Sequence, residues 1–379
     1  MSSPSSRRDN NFDLIRLLAA AQVVAAHAIG HTPLKEKLSP LGVGLFDILL
    51  MIPGVPIFFV ISGFLILRSF EKNPADVKGY LWRRGLRIFP ALWVCLAVTI
   101  GALGAFGFLG ADFVFSGTFA AWIAGQVSFV QFFNPEQFRG FGIGVANGAL
   151  WTITVELQFY LFVPIYHFLT RPRPGGRAGV AITAVLFLVS FGAFCVMDDK
   201  VNGPGGYGAA PTVYKLLFVS LVPHLWMFLL GATIHRHFDR IRGWFEGRFL
   251  VWAALYAVAL AAVHFLLPWR SLPWYLSYLP TRVILAGVTI SAAYSARWLS
   301  RKILRGNDIS YGSYLYHSVV INVLVESGRM ESFVSVAAVY GITLALAVLS
   351  WRFVEKPALA MKPKVPGSEP GPVEAAVAE

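Results

Sequence analysis

The stretch RLLAAAQVVAAH, residues 16–27, decides how the rest of the chain is read. It opens with a guanidinium and closes with an imidazole, and of the ten residues between them only Gln22 is polar. Such a run reads as membrane-spanning, yet an arginine deep in hydrocarbon costs roughly 2.5–3.5 kcal/mol on insertion scales. Arg16 therefore sits at an edge or is compensated. Eleven steps of 1.5 Å put His27 about 16 Å along the helix from Arg16. Eleven rotations of 100° end about 20° past three turns, so both side chains share one face. That face lines a bundle interior or a wet cavity. Singly, each residue has a plain account, a snorkelling Arg and a hydrogen-bonded core His. Together they favour a line of sites along a pore.

The composition supports a membrane chain. Of 379 residues, 56% are hydrophobic and 14% charged, against about 25% charged in soluble domains; mean hydropathy is +0.62. The expected fold is all-α and polytopic, with ten spans at 12–31, 45–67, 88–109, 147–169, 179–197, 213–234, 249–267, 274–294, 308–327 and 332–354. The stretch 113–133, broken by polar and Gly residues, reads as a re-entrant or interfacial segment. With the N-terminus inside, 22 of the 32 Lys and Arg fall on inner segments and 6 on outer loops, a bias that sets both termini in the cytoplasm. The same bias accounts for the net charge of +12 without a nucleic-acid partner. Cys95 and Cys195 lie in apolar runs, which suggests neither a disulfide framework nor a metal cluster. Arg7, Arg8, the first apolar run and Ala26-His27-Ala28 resemble a cleavable signal, but Arg16 falls in its apolar core and Asp9 and Asp13 in its basic region. The chain divides into an N-terminal tail at 1–11, a membrane domain at 12–357 and a tail at 358–379, whose Pro, Gly, Ala and Glu content points to disorder.

Ionisable groups inside spans are functional candidates by default. In RRGLRIFP (83–90), Arg84 and Arg87 share a face at the cytoplasmic end of the third span. Their planar forks suit phosphate, and an ordinary positive-inside anchor is the alternative. In WTITVELQFYLFVP (151–164), Glu156 lies roughly 13 Å below the outer end of its span, with Tyr160 one turn further in. A carboxylate there needs a partner. His27 is nearest in depth, and a carboxylate holding one ring nitrogen makes the other a better base. Pairing with Arg16 is the structural alternative. In ISYGSYLYH (309–317), Tyr311, Tyr314 and His317 recur on one face, where packing is the default. FFVISGFLI (58–66) carries Ser62-Gly63, small residues that let helices approach closely. Glu355 in WRFVEKP (351–357) reads as an inner-surface ion pair.

Taken in order, these stretches resemble the acyltransferase-3 family of integral membrane O-acyltransferases, and the resemblance spans residues 12–357. It implies transfer of an acyl group, usually acetyl from acetyl-CoA, to a hydroxyl of a sugar or another acceptor. Family members act on surface polysaccharide, lipopolysaccharide, peptidoglycan and some small metabolites. The family's functional residues then fall on Arg16, His27, Arg84, Arg87, Glu156 and Tyr160. Some relatives carry an added soluble hydrolase-like domain, where this sequence has only a short tail.

The roles expected are therefore catalysis for His27 and Glu156, donor binding for Arg16, Arg84 and Arg87, and substrate binding for Tyr160, Tyr311 and His317. No metal and no bound cofactor are expected. Acyl-CoA serves as co-substrate, a glycan or lipid-linked sugar as acceptor, and the inner cell membrane as the site. Buried Arg, His and Glu across ten spans also fit a proton-coupled transporter of a polar solute. Acylation of a small secondary metabolite is the alternative within the first reading.

Overall fold

The computed structural model describes residues 10–171, 177–202, 210–266 and 273–362, and among them every regular element is helical. In chain order the helices are α1 (Phe12–Gly30), α2 (Pro40–Met51), α3 (Gly54–Glu71), α4 (Val77–Ala105), α5 (Ala111–Val114) and α6 (Gly117–Val127). They continue with α7 (Trp151–Thr170), α8 (Ala178–Asn202), α9 (Thr212–Phe218), α10 (Leu225–Ile241) and α11 (Phe249–Ala261). The last are α12 (Tyr275–Ala293), α13 (Trp298–Leu304), α14 (Ser310–Glu326), α15 (Phe333–Ser350) and α16 (Lys356–Ala360). The signal-like residues Arg7 and Arg8 and the tail segment 363–379 lie outside the described residues. Ahead of that segment, Ala358 and Leu359 are buried in α16.

Helices occupy all ten expected stretches, though not always as single rods. Six meet the length and apolarity of a span: Phe12–Gly30, Pro40–Glu71, Val77–Ala105, Ala178–Val201, Tyr275–Ala293 and Phe333–Ala360. A seventh is gained if Leu225–Trp244 and Phe249–Phe265, which meet at a 102° bend, count as one span. α14 is 17 residues long, below the 20 or so that cross a bilayer upright. The 113–133 stretch folds as two short helices. The 11-residue α6 reaches about 16 Å, half of a bilayer core.

The breaks have local causes. The expected span at 45–67 divides into α2 and α3 at Ile52-Pro53, where proline has no N–H to give and restricts the residue before it. Gln22 services this break: its amide donates to the Leu49 carbonyl (3.2 Å) and accepts from the Gly54 N–H (2.7 Å). The one polar residue inside the opening stretch is thus a cap for another helix. Ser39 and Ser116 cap α2 and α6, accepting from Gly42 N and Phe119 N at 3.2 Å each, as is usual at helix N-termini.

The chain forms two compact units. One comprises Met1–Ile15, Val55–Val77 and Val155–Ile303. In it α3 crosses α10 through a pair of glycines. A Cβ on Gly63 would overlap the Phe228 carbonyl, and one on Gly231 would overlap the Val60 carbonyl. Ser62-Gly63 is thus a packing site. Phe59, Phe159 and Phe228 pack beside it, the first two edge to face at 5.4 Å between ring centroids and the last two tilted at 4.5 Å. At the end of α3, Glu71 gathers His167 (3.2 Å), His235 (3.1 Å) and Arg236 (3.1 Å).

The other unit comprises Arg16–Gly54, Lys78–Thr154 and Leu304–Glu379. α14 is its centre, with fourteen of its residues buried. Val24 and Ala28 of α1 pack with Val320, Ile321 and Leu324 of α14 and Val339 of α15. Gly312 lets α14 meet α15 closely, since its Cβ would lie 2.9 Å from Ala347 Cα. A second cluster joins α4 and α6 to the following loop through Leu96, Leu103, Trp122, Phe138 and Phe141.

Candidate functional site

Most of the singled-out residues fall within the second unit, along the line where α1 runs beside α14. At one end, Arg16 Nη1 lies 3.7 Å from Asp308 Oδ2. Arg87 of α4 bonds the same oxygen, and its Nη1 lies 3.8 Å from Glu355 Oε2. Asp308 Oδ1 accepts from Ser310 N (3.2 Å) and Ser310 Oγ (2.5 Å). Asp308 therefore sits just before the N-terminus of α14, where the helix dipole favours a negative charge. Arg84 lies one turn before Arg87, its guanidinium 5.8 Å from the Tyr80 ring centre.

This arrangement answers how Arg16 is tolerated. Its charge is shared with Asp308, and the three side chains Arg16, Arg87 and Asp308 are only 11–18% exposed. Sequence reasoning did not single out Asp308. Its position one residue before the N-cap of α14 was the available signal. Glu355, expected in an inner-surface ion pair, is instead 2% exposed, and its other oxygen accepts from Ser350 Oγ at 3.0 Å.

Nearer the other end of α1, His27 Nδ1 lies 2.9 Å from His317 Nε2 of α14. His317 is fully buried, and its Nδ1 lies 2.7 Å from the Tyr314 carbonyl oxygen. The His31 ring packs edge-on against His27 at 5.1 Å. Tyr311 and Tyr314, placed with His317 on one face by their spacing, are held by neighbouring segments. The Tyr311 hydroxyl donates to the Ile88 carbonyl (3.0 Å), and that of Tyr314 pairs with Thr152 Oγ1 (2.7 Å).

The loop before α7 descends along the far half of α14. Gly142 N donates to Glu326 (2.9 Å), Ile143 N to Asn322 (3.1 Å) and Gly148 N to Ser318 (3.0 Å). Asn322 also donates to the Val145 carbonyl at 2.7 Å. Gly142 has φ +54°, and a Cβ there would crowd Asn322. Irregular backbone of this kind is tolerated at membrane depth where side chains satisfy it or water reaches it. The loop reaches α14 at Ser318, the residue after His317, and so ends beside the histidine pair.

Glu156 and Tyr160 lie in the first unit. There the Tyr160 hydroxyl donates to Glu156 Oε1 at 2.5 Å. The orienting role suggested for Glu156 requires one ring nitrogen of His27. His317 occupies Nδ1.

Known proteins give the arrangement its context. The acyltransferase domain family matches residues 9–352. Nodulation protein 10 of Rhizobium leguminosarum bv. viciae is 35% identical, over 94% of this chain and 95% of its own length. The O-acetyl transferase of Shigella phage Sf6 is 26% identical, over 92% of this chain and 96% of that protein. The peptidoglycan O-acetyltransferase OatA of Listeria monocytogenes is 25% identical over 80% of this chain, which spans 50% of OatA's length. No solved structure matches. A family match over nearly all of an apolar, all-helical chain, together with a 35% identical relative of similar extent, makes this protein a member of the acyltransferase-3 family of multi-pass membrane enzymes that transfer acyl groups.

Proposed function

We propose that the protein moves an acyl group, acetyl in the first instance, from cytoplasmic acyl-CoA to a hydroxyl of a sugar or surface glycan at the inner membrane. One observation carries the reading. Arg16 and His27, about 16 Å apart on one face of α1, meet Asp308 and His317 in the same order along a single parallel neighbour. A charged station and an uncharged imidazole station thus lie in sequence along one line. Acyl-CoA is polyanionic and membrane-impermeant, so its phosphates suit the arginine end. The pantetheine arm can carry the thioester towards His27, and the loop at 142–148 offers the acceptor an outer approach. The peptidoglycan acceptor in OatA's name favours a glycan, and family membership favours acyl transfer over the transporter alternative.

The chemistry needs one base. His27 removes the proton of the acceptor hydroxyl as its oxygen attacks the thioester carbonyl carbon. The C–S bond then breaks, and the CoA thiolate takes the proton from the His27 imidazolium. General base action is typically worth 10²–10⁴ in rate. Arg84 and Arg87 bind donor phosphates with Arg16 beside them, and Asp308 keeps Arg16 and Arg87 gathered when no donor is present. Glu156, hydrogen-bonded by Tyr160, stays in the proposal as the second catalytic residue beside His27.

The test is acyl transfer by purified protein in nanodiscs, using labelled acetyl-CoA and a peptidoglycan or polysaccharide fragment. Wild-type protein is expected to label the acceptor and His27→Ala to abolish labelling while remaining folded. Transfer by His27→Ala above a tenth of the wild-type rate would sink the assignment.

A further inference from the structure

The hydrogen-bond chain through the two histidines has a definite polarity, and from it we infer that His317 is the positioning residue that fixes the tautomer of His27, leaving His27 Nε2 as the basic nitrogen. The catalytic consequence rests on the acyl-transfer reading above, while the tautomer itself does not.

A backbone carbonyl can only accept. His317 Nδ1, 2.7 Å from the Tyr314 carbonyl, must therefore carry a proton and donate it. A second proton, on Nε2, would make His317 a cation with no solvent exposure, and such a charge is expensive unless it is paired. Neutral His317 thus offers Nε2 as a lone pair. His27 Nδ1 lies 2.9 Å away and must be the donor, since two facing lone pairs do not bond. A neutral imidazole with its proton on Nδ1 has its lone pair on Nε2. The polarity runs from His27 Nδ1–H to His317 Nε2, and from His317 Nδ1–H to Tyr314 O.

The arrangement does the work that a carboxylate does in a serine-hydrolase triad, holding the tautomer and ring orientation of the base, but with a neutral acceptor. When His27 Nε2 takes the acceptor proton, the Nδ1–H bond to His317 becomes charge-assisted and stronger. No buried negative charge is needed beside His27 for this. Two residues before His317, the Leu315 carbonyl accepts from Asn147 Nδ2 (3.0 Å), and one residue after it Ser318 accepts from Gly148 N. Both anchor the turn of α14 that carries the acceptor ring. Tyr314, whose carbonyl ends the chain, is fixed by its hydroxyl bond to Thr152.

The test uses full-length protein in nanodiscs with ¹⁵N-labelled histidine. The His27 signals, among those of eight histidines, are identified by their loss in His27→Asn. Long-range proton–nitrogen spectra should show the His27 proton on Nδ1 in the wild type. In His317→Ala the proton should move to Nε2, kcat should fall about 100-fold, and KM for acetyl-CoA should stay within twofold. In His317→Gln, a side-chain oxygen takes the place of Nε2 as acceptor, so the Nδ1–H pattern should persist and kcat should recover to within about tenfold of wild type. A structural role alone predicts neither the tautomer change nor the recovery. A proton on His27 Nε2 in the wild type, or an Nδ1–H pattern unchanged in His317→Ala, overturns the proposal. Transfer that survives His27→Ala overturns the base assignment, and the catalytic consequence with it, whatever the spectrum shows.

Discussion

At the scale of single residues, the two arginines on one turn of α4 separate by what they touch. Arg87 is caught between Asp308 and Glu355, and removing it leaves two buried carboxylates without their shared cation. Loss of one partner from a buried pair costs about 3–5 kcal/mol. Arg87→Ala should therefore lower the thermal midpoint in detergent as well as activity. Arg84 lies one turn earlier, its guanidinium 5.8 Å from the Tyr80 ring centre. Arg84→Lys keeps the charge and loses the fork. It should raise the KM for acetyl-CoA about tenfold, or 1.4 kcal/mol. An unchanged KM would reduce Arg84 to a topological anchor. The spacing of Arg16 and His27 was enough to place them on one face. Their partners were not legible, because Asp308 and His317 lie about 290 positions along the chain and helix periodicity says nothing about which helix comes alongside. Glu156 was the nearest group by depth alone. The spacing of His317 with two tyrosines marks a shared face and no more, and only its hydrogen bonds show which nitrogen faces His27.

At the scale of helices, apolar runs located the long elements, and the interruptions and short helices such as α13 and α16 were harder to read. Pro53 was visible in the sequence, but whether a proline kinks a helix or divides it depends on what satisfies the freed groups. Here Gln22, on another helix, takes both Leu49 O and Gly54 N–H. The close approach of α3 to α10 was half legible. Ser62-Gly63 announced a small-residue face, and Gly231-Ala232 is a like pair in the facing helix, but which small residues meet shows only in the contact of Gly231 with Val60. Both glycines face a backbone carbonyl, which cannot swing aside as a side chain can. Gly63→Val should then force the helices apart and destabilise the fold by about 1–3 kcal/mol or more, as overpacked cores do. Gly101 has nothing within 4 Å of its would-be Cβ, and Gly101→Ala should be neutral or slightly stabilising, since alanine is the better helix former. Thermal melts of the two variants in the same detergent check this. Equal midpoints would show that the α3–α10 contact is not what fixes the unit.

At the scale of the whole molecule, the remaining question is sidedness, because the proposed reaction draws its donor from one side and its acceptor from the other. α1 and α14 run parallel, Arg16 to Asp308 and His27 to His317. Two parallel spans require an odd number of crossings between them, and the ten-span reading supplies seven. Counting only the six or seven most apolar helices leaves out α14 itself, although it carries His317. The proposed sidedness follows the distribution of 22 basic residues on expected inner segments and 6 on expected outer ones, which by the positive-inside rule puts both termini in the cytoplasm. A phosphatase fused after residue 362 should then be inactive, and a fluorescent protein at the same place should fold and glow. With Cys95 and Cys195 replaced by alanine, a cysteine placed at Arg139 should react with an impermeant maleimide in intact spheroplasts, and one at Arg301 only after lysis. Donor sidedness follows from the same topology. Inverted vesicles given external acetyl-CoA should label acceptor enclosed in their lumen, and sealed right-side-out vesicles given the same donor should not. Active phosphatase at the C-terminus would remove one crossing from the count. Labelling in right-side-out vesicles alone would place the arginine cluster on the outer face, and the donor would then have to be something other than cytoplasmic acyl-CoA.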